Sequence, residues 1–212
     1  MPHHHWTLLG SRPVADHRIL RVRYDQYRFE PSGRTQDFVV LEMPAWTNVV
    51  PITDDGQVVL IRQYRHGIKQ VTLEIPGGVV ESGEPPEAAA ARELREETGY
   101  AAERLRSLGQ VLPNPAIQDN FCHLFLAEGC RHVQEPQPDP FESIQVTTYP
   151  RAAIPGLVRN GEIAQAMVIA ALGLAGLLGG QMENAADVKA AKKARREKGG
   201  ITLDVYRQKH GL

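Results

Sequence analysis

Residues 77–100 read Gly77-Gly78-Val79-Val80-Glu81-Ser82-Gly83-Glu84-Pro85-Pro86-Glu87-Ala88-Ala89-Ala90-Ala91-Arg92-Glu93-Leu94-Arg95-Glu96-Glu97-Thr98-Gly99-Tyr100. The second half predicts a helix over residues 85–98. Prolines stand where a missing N–H costs least, alanines follow, and Gly99 supplies the stop. Glu93, Glu96 and Glu97 fall at i, i+3 and i+4, so their carboxylates rise from one face within a turn. Like charges crowded this way repel unless a cation sits among them, and hard carboxylate oxygens suit Mg²⁺, or Mn²⁺ in its place. Arg92 is spaced to orient these carboxylates through charge-assisted hydrogen bonds. A glutamate-rich helix alone is usually a solvated surface, but the residues before it change the reading. Gly77 and Gly78 follow Pro76 at the end of an expected strand. There the main chain can approach a metal or phosphate closely, and Gly77 has a carbonyl to offer as a ligand.

Upstream of this stretch, residues 48–52 and 58–64 are apolar runs joined by Thr53-Asp54-Asp55-Gly56, whose Asp-Gly pair predicts a hairpin. A further strand is expected over residues 72–75. Residues 17–43 alternate around Pro31-Ser32-Gly33 and predict an antiparallel β arm. Downstream come strands at 105–112 and 121–127, a proline-rich loop at 135–140 and a strand at 144–149. The apolar segment 163–178 falls short of the ~20 residues a bilayer demands and reads as a buried helix. Strands before, around and after two helices, without regular alternation, predict an α/β fold in which helices cover both faces of a mixed sheet. Residues 183–198 predict a polar helix with six basic residues against three acids, read as a solvated face, with a phosphate or RNA patch as the alternative. The expected organisation is a β arm over 1–43, a core domain over 44–182, and a basic helix and tail over 183–212.

The charges nearly cancel, with 24 Lys and Arg against 25 Asp and Glu. No whole-molecule field therefore favours a nucleic acid or an acidic membrane, and an anion must be bound locally. Cys122 and Cys130 lack the spacing of a zinc site or a disulfide framework, which fits a reducing cytoplasm. The first residues do not read as a secretory signal, and His3, His4 and His5 read as solvated rather than metal-binding.

The run of Gly78, five residues, Glu84, seven residues, then Arg92-Glu93-Leu94-Arg95-Glu96-Glu97-Thr98-Gly99-Tyr100 resembles the Nudix box at every defining position. Tyr100 stands where that family more often has an aliphatic residue, at a packing position. The resemblance implies a Nudix-type α/β/α sandwich and a hydrolase. It implies that Glu93, Glu96 and Glu97 are metal ligands, and that Glu84 supports the metal site or its salt-bridge network. Outside the box, residues 17–178 resemble the ADP-ribose pyrophosphatase branch. Arg62-Gln63-Tyr64-Arg65 matches a strand from which an arginine contacts the substrate, with Arg65 the expected position, its planar fork suited to phosphate and an exposed structural ion pair the alternative. Pro115 matches a downstream proline associated with ADP-ribose specificity, and Gly78 is expected beside the substrate. The β arm matches arms that build a homodimer and complete the partner's site, with Trp46 placed either to stack on a purine or to be buried at the base of the arm. Ala116, Asn120 and Gln145 depart from the glycine, glutamate and acid that relatives often carry at these positions.

What the resemblance implies is Mg²⁺-dependent cleavage of the pyrophosphate of a nucleoside diphosphate derivative, foremost ADP-ribose to AMP and ribose 5-phosphate. GDP-mannose, other nucleotide sugars and dinucleotides are alternative substrates within the same chemistry. A reading of another class is a nucleotide-sugar sensor that binds without hydrolysing. The intact box argues against it, because crowded acids facing an anionic ligand serve no purpose in binding alone. The residues expected to carry catalysis are Glu142, Glu93 and Arg92. Two candidates stand for the base that deprotonates the attacking water: Glu142, in the region where this branch carries a loop glutamate, and Glu93 within the box.

Overall fold

The computed structural model describes residues 5–138 and 141–179. The basic helix expected over 183–198 lies outside the described residues. Three strands form the arm: β1 (Trp6–Asp16), β2 (Arg21–Phe29) and β3 (Arg34–Glu42), antiparallel in sequence order. The sequence predicts only the last two, and Ile19, expected in a strand, lies in the turn between β1 and β2. β1 escapes detection because its register against β2 shifts between Leu8 and Gly10 and again between Pro13 and Ala15. Each bulge adds a residue and breaks the alternation that marks a strand. Pro13 is tolerated because β1 is an edge strand.

The second sheet has eight strands. Its spine runs β11 (Ile144–Pro150), β5 (Gln57–Arg65), β4 (Trp46–Thr53), β10 (Cys122–His132) and β8 (Tyr100–Ala101). β6 (Gln70–Glu74), β7 (Gly77–Val79) and β9 (Arg104–Val111) pair with β5, β4 and β10 respectively. β4 and β10 are parallel while the other pairings are antiparallel, so the sheet is mixed as expected. A parallel pair needs a long crossover, and the chain between β4 and β10 includes the helix α1 (Pro86–Thr98).

Successive residues of β4 show how the sheet is covered. Val49 packs with Ala90 and Leu94 of α1 and with Phe125, Ala127 and Cys130 of β10. Val50, pointing the other way, belongs to a larger core with Ile154 and Leu157 of α2 (Ile154–Arg159) and Val168, Ala171 and Leu172 of α3 (Ala166–Leu174). Helices therefore cover both faces. The predicted helix over 163–178 is shorter in fact. Gln165 caps it, accepting a hydrogen bond from the Val168 amide, and the chain turns after Leu174, where Gly176 takes a φ of 77°. Among the described residues no helix is long and apolar enough to cross a membrane.

The arm is fastened to the segment before β10. Leu41 N–H donates to Ile117 O at 2.7 Å, Asp119 N–H to Leu41 O at 3.3 Å, and Met43 N–H to the Asp119 carboxylate at 3.1 Å. Arg23 of β2 bonds Asp25 at 2.9 Å, Asp119 at 3.2 Å, and Glu42. Asp25 is buried, and the Arg23 hydrogen bond outweighs its desolvation, holding the carboxyl below its ordinary range. A carboxylate depressed in the folded state contributes stability that is present above its unfolded pKa and lost as pH falls through the folded value. Asp25→Asn should therefore cost about 1–3 kcal/mol at neutral pH and progressively less as pH drops below about 4. Urea titrations of both proteins across that range check this. A difference that stays constant with pH would mean the carboxylate charge does not matter.

Candidate active site

Five N–H groups of one guanidinium organise the acidic end of α1. Arg92 Nε and Nη2 grip the Glu84 carboxylate at 3.0 and 3.1 Å. Nη1 donates to Glu93 at 2.8 Å and to Glu96 at 3.0 Å, and Nη2 also donates to Val79 O at 3.1 Å. These bonds use the full donor capacity of an arginine, so a lysine, with three donors and no planar fork, has no equivalent arrangement. Glu84 also accepts from the Glu81 amide at 3.1 Å, and the Arg92 bonds hold its carboxyl below the usual range.

The three box carboxylates do not share one exposed face. With 3.6 residues per turn they fan over about 100° of the helix. Glu97 is only 3% exposed, aligned with the buried Ala90 and Leu94, whereas the Glu96 side chain remains 45% exposed. Burial raises Glu97 well above the carboxylate range, the Gly77 amide at 2.8 Å opposes this, and the charges of Glu93 and Glu142 add to it. Glu93 is likewise raised, mainly by burial, against the pull of Arg92. Among the described residues no three acidic, histidine or cysteine side chains already converge as a metal cage. Glu93 and Glu96 turn to Arg92, and Glu97 turns to Gly77.

The floor opposite the helix is β7, paired with β4. A Cβ at Gly77 would lie 2.2 Å from Thr47 O, and one at Gly78 would lie 2.3 Å from a Glu93 carboxylate oxygen. Both glycines are required for close approach, but by different neighbours: backbone for Gly77, the Glu93 side chain for Gly78.

Arg65, at the end of β5, lies flat against Glu74 at the end of β6, with Nε and Nη2 at 2.9 and 2.8 Å from its two oxygens. Thr72 also donates to Glu74, at 2.6 Å. Glu74 is buried, yet these bonds outweigh desolvation and leave its carboxyl lowered. The fork expected to grip phosphate is thus occupied on one edge, leaving Nη1 as the part outside the pair. Sequence reading missed Glu74; its signal was an isolated acid in the otherwise apolar Leu73-Glu74-Ile75-Pro76.

Glu142 lies two residues before β11, and its charge is felt at Glu93, Glu97 and Arg65. Gln63 Nε2 donates to it at 3.4 Å. Further back in the same connection, Gln137 N–H donates to Glu96 O at 2.7 Å, tying the proline-rich segment to the end of α1. Phe141, beside Glu142, is 97% exposed.

Trp46 begins β4, half-buried against the larger core. Pro115 belongs to a turn closed by Ile117 and Gln118 amides on Asn114 O, in the segment fastened to the arm. Asn120 is buried there, donating to Pro44 O at 3.0 Å, with its Oδ1 among the buried atoms lacking a partner. Tyr100 packs beside the α1 core and meets His132 edge-on at 5.4 Å, consistent with a packing role. Cys122 and Cys130 are free and buried, and burial pushes their thiols to about 12 and about 11.

A family profile described as the NUDIX domain matches residues 43–172. The chain belongs to the Nudix family. Its Nudix relatives include the ADP-ribose pyrophosphatase of Bacillus subtilis (strain 168), 35% identical over 105 residues, 50% of this chain and 57% of that protein. The ADP-ribose pyrophosphatase of Mycobacterium tuberculosis is 32% identical over 172 residues, 80% of this chain and 83% of its own length. The chain thus spans little more than half of the first relative and most of the second. A crystal structure of an ADP compounds hydrolase superposes with a TM-score of 0.72 at 25% identity, covering 81% of this Nudix chain and 92% of that one.

The two glycines separate stability from function. Gly77→Ala forces backbone movement and should cost about 1–3 kcal/mol of stability. Gly78→Ala displaces only the Glu93 carboxylate, so the fold should persist while kcat/KM falls roughly 10²-fold, as for a reacting group moved by about an ångström. Denaturation curves and pyrophosphatase assays on both variants check the contrast; full activity in Gly78→Ala would detach Glu93 from the chemistry.

Proposed function

We propose that this Nudix chain hydrolyses the pyrophosphate bond of a nucleoside diphosphate derivative, with ADP-ribose as substrate and AMP and ribose 5-phosphate as products, using Mg²⁺. The observation that carries the reading is the buried Glu97 carboxylate, set in the field of Glu93 and Glu142. Acids that raise one another's pKa have no use against an anionic pyrophosphate unless cations lie between them. The relatives that are ADP-ribose pyrophosphatases support the choice of substrate.

The donor set fits the ion. All its side-chain donors are hard carboxylate oxygens, and the missing Cβ at Gly78 lets the Glu93 carboxylate lie close against the main chain. Glu93, Glu96 and Glu97 would hold Mg²⁺, or Mn²⁺, with the Gly77 carbonyl as a further ligand and Glu84 bracing the set through Arg92. Such an ion, when bound, offsets pyrophosphate charge and makes water more acidic. Arg92 has all its donors committed, so its part is to position Glu93 and Glu96 rather than to touch substrate. Glu142 takes the proton from the attacking water, which keeps base and ligand on different residues. Arg65 offers Nη1 to a phosphate oxygen, Gly78 lets the substrate approach the main chain, Trp46 stacks on the purine, and the Pro115 turn borders the sugar.

The arm, residues 1–43, builds a homodimer around the core domain 44–182. In support, Trp6, Leu8, Leu9, Val14, Phe38 and Val39 are all exposed on its sheet. Free, buried cysteines accord with a cytoplasmic setting.

Glu97→Gln should nearly abolish Mg²⁺-dependent release of AMP from ADP-ribose without unfolding the protein; near-normal turnover would remove the proposed metal site. Glu142→Gln should lower kcat by roughly 10² or more with KM and Mg²⁺ dependence little changed, while Glu93→Gln should weaken metal binding too. Retained kcat in Glu142→Gln, with Glu93→Gln losing rate at unchanged metal affinity, would move the base into the box. Deleting residues 1–43 should cost both dimerisation and activity, and a fully active monomer by light scattering would overturn the role given to the arm.

A further inference from the structure

Gln63 is a polar side chain in an apolar strand. It follows Val58, Val59, Leu60 and Ile61 of β5, all fully buried, and is itself 7% exposed. An amide so enclosed is expected to have both ends bonded. Its nitrogen donates to Glu142 at 3.4 Å, but its Oε1 is buried without a hydrogen-bond partner. Turning the amide over would not repair this, because the carbonyl would then face the Glu142 carboxylate, acceptor against acceptor. The orientation that leaves one buried oxygen unsatisfied is therefore the one that presents an N–H to Glu142.

The main chain fixes where this amide stands. Gln63 is paired with Ile144 on one side and Thr72 on the other, so β11 and β6 hold it between them. Glu142 lies two residues before Ile144, on the exposed side of that pairing. Gln63 is thus a rigid point beneath a carboxylate that leaves the sheet at the end of the proline-rich connection. A buried donor on a strand confines such a carboxylate to a narrow range of positions, as catalytic groups require.

We propose that Gln63 is a positioning residue, whose buried amide N–H holds the Glu142 carboxylate in the orientation in which it accepts a proton. This rests on the reading of Glu142 as base. The bare structural alternative is that Gln63 only fills space between β6 and β11, and the two make different demands on kinetics.

The wild-type chain, Gln63→Met, Glu142→Gln and the double variant are compared with ADP-ribose and Mg²⁺, alongside thermal melts. Gln63→Met keeps the length of the side chain and removes the donor. It should lower kcat about tenfold, leave KM within twofold and hold or raise the melting temperature, since an unsatisfied buried oxygen is lost with it. In the Glu142→Gln background the same change should have almost no further effect on kcat, because the group it positions is already gone. Gln63→Glu, which sets a second acid against Glu142, should lose more kcat than Gln63→Met. Unchanged kcat in Gln63→Met, or equal losses in the presence and absence of Glu142, would overturn the positioning role while leaving Glu142 as base. Full kcat in Glu142→Gln alone would overturn both. Should Gln63→Met fail to fold, Gln63→Leu carries the same cycle, and failure of both to fold would assign Gln63 to packing.

Discussion

The arrangement hangs on the guanidinium of Arg92. Glu84 comes from the loop before the helix, Val79 O from the floor strand, and Glu93 and Glu96 from the helix itself. One planar cation therefore joins loop, strand and helix at a point where the helix presents mutually repelling acids. Without it, Glu93 and Glu96 would point away from each other into solvent, where their side-chain entropy is greatest. The loop between β7 and α1 also turns at Gly83, with φ 81°, so that Glu84 can come back onto the arginine.

Around that cation the chain places acids in graded surroundings. Glu96 meets solvent, Glu93 is mostly enclosed, Glu97 is shut in against the Gly77 amide, and Glu142, beside Gln63, adds its charge to those of Glu93 and Glu97. Glu74 shows the contrast: equally buried, it is fully matched by Arg65 and Thr72, and its carboxyl is lowered rather than raised. Burial alone does not decide which way a carboxyl shifts; the neighbours do.

Much of this was legible in the sequence because the signals were local. The helix, its glycine stop, the Asp-Gly hairpin and the spacing of Arg92 to Glu93, Glu96 and Glu84 each depend on residues within one or two turns of chain. The tilt of Glu97 into the core was hidden, because i, i+3 and i+4 do not say which edge of the face a helix buries. β1 was hidden by its two bulges. The pairings of Arg65 with Glu74 and of Gln63 with Glu142 were also hidden, because strand register sets them, and the Gln63 contact spans 79 positions of sequence. Arg65 was expected as a phosphate fork, and only the neighbouring strand reveals that a carboxylate already fills one edge.

The cysteines have a practical consequence. With thiols pushed to about 12 and about 11 and both side chains enclosed, Cys122 and Cys130 hold almost no thiolate at neutral pH and offer reagents no access. The native protein should therefore react little with alkylating dyes. A cysteine introduced at the fully exposed Phe141 would take up a fluorophore alone, placing a reporter one residue from Glu142 without first stripping the natural cysteines from the core.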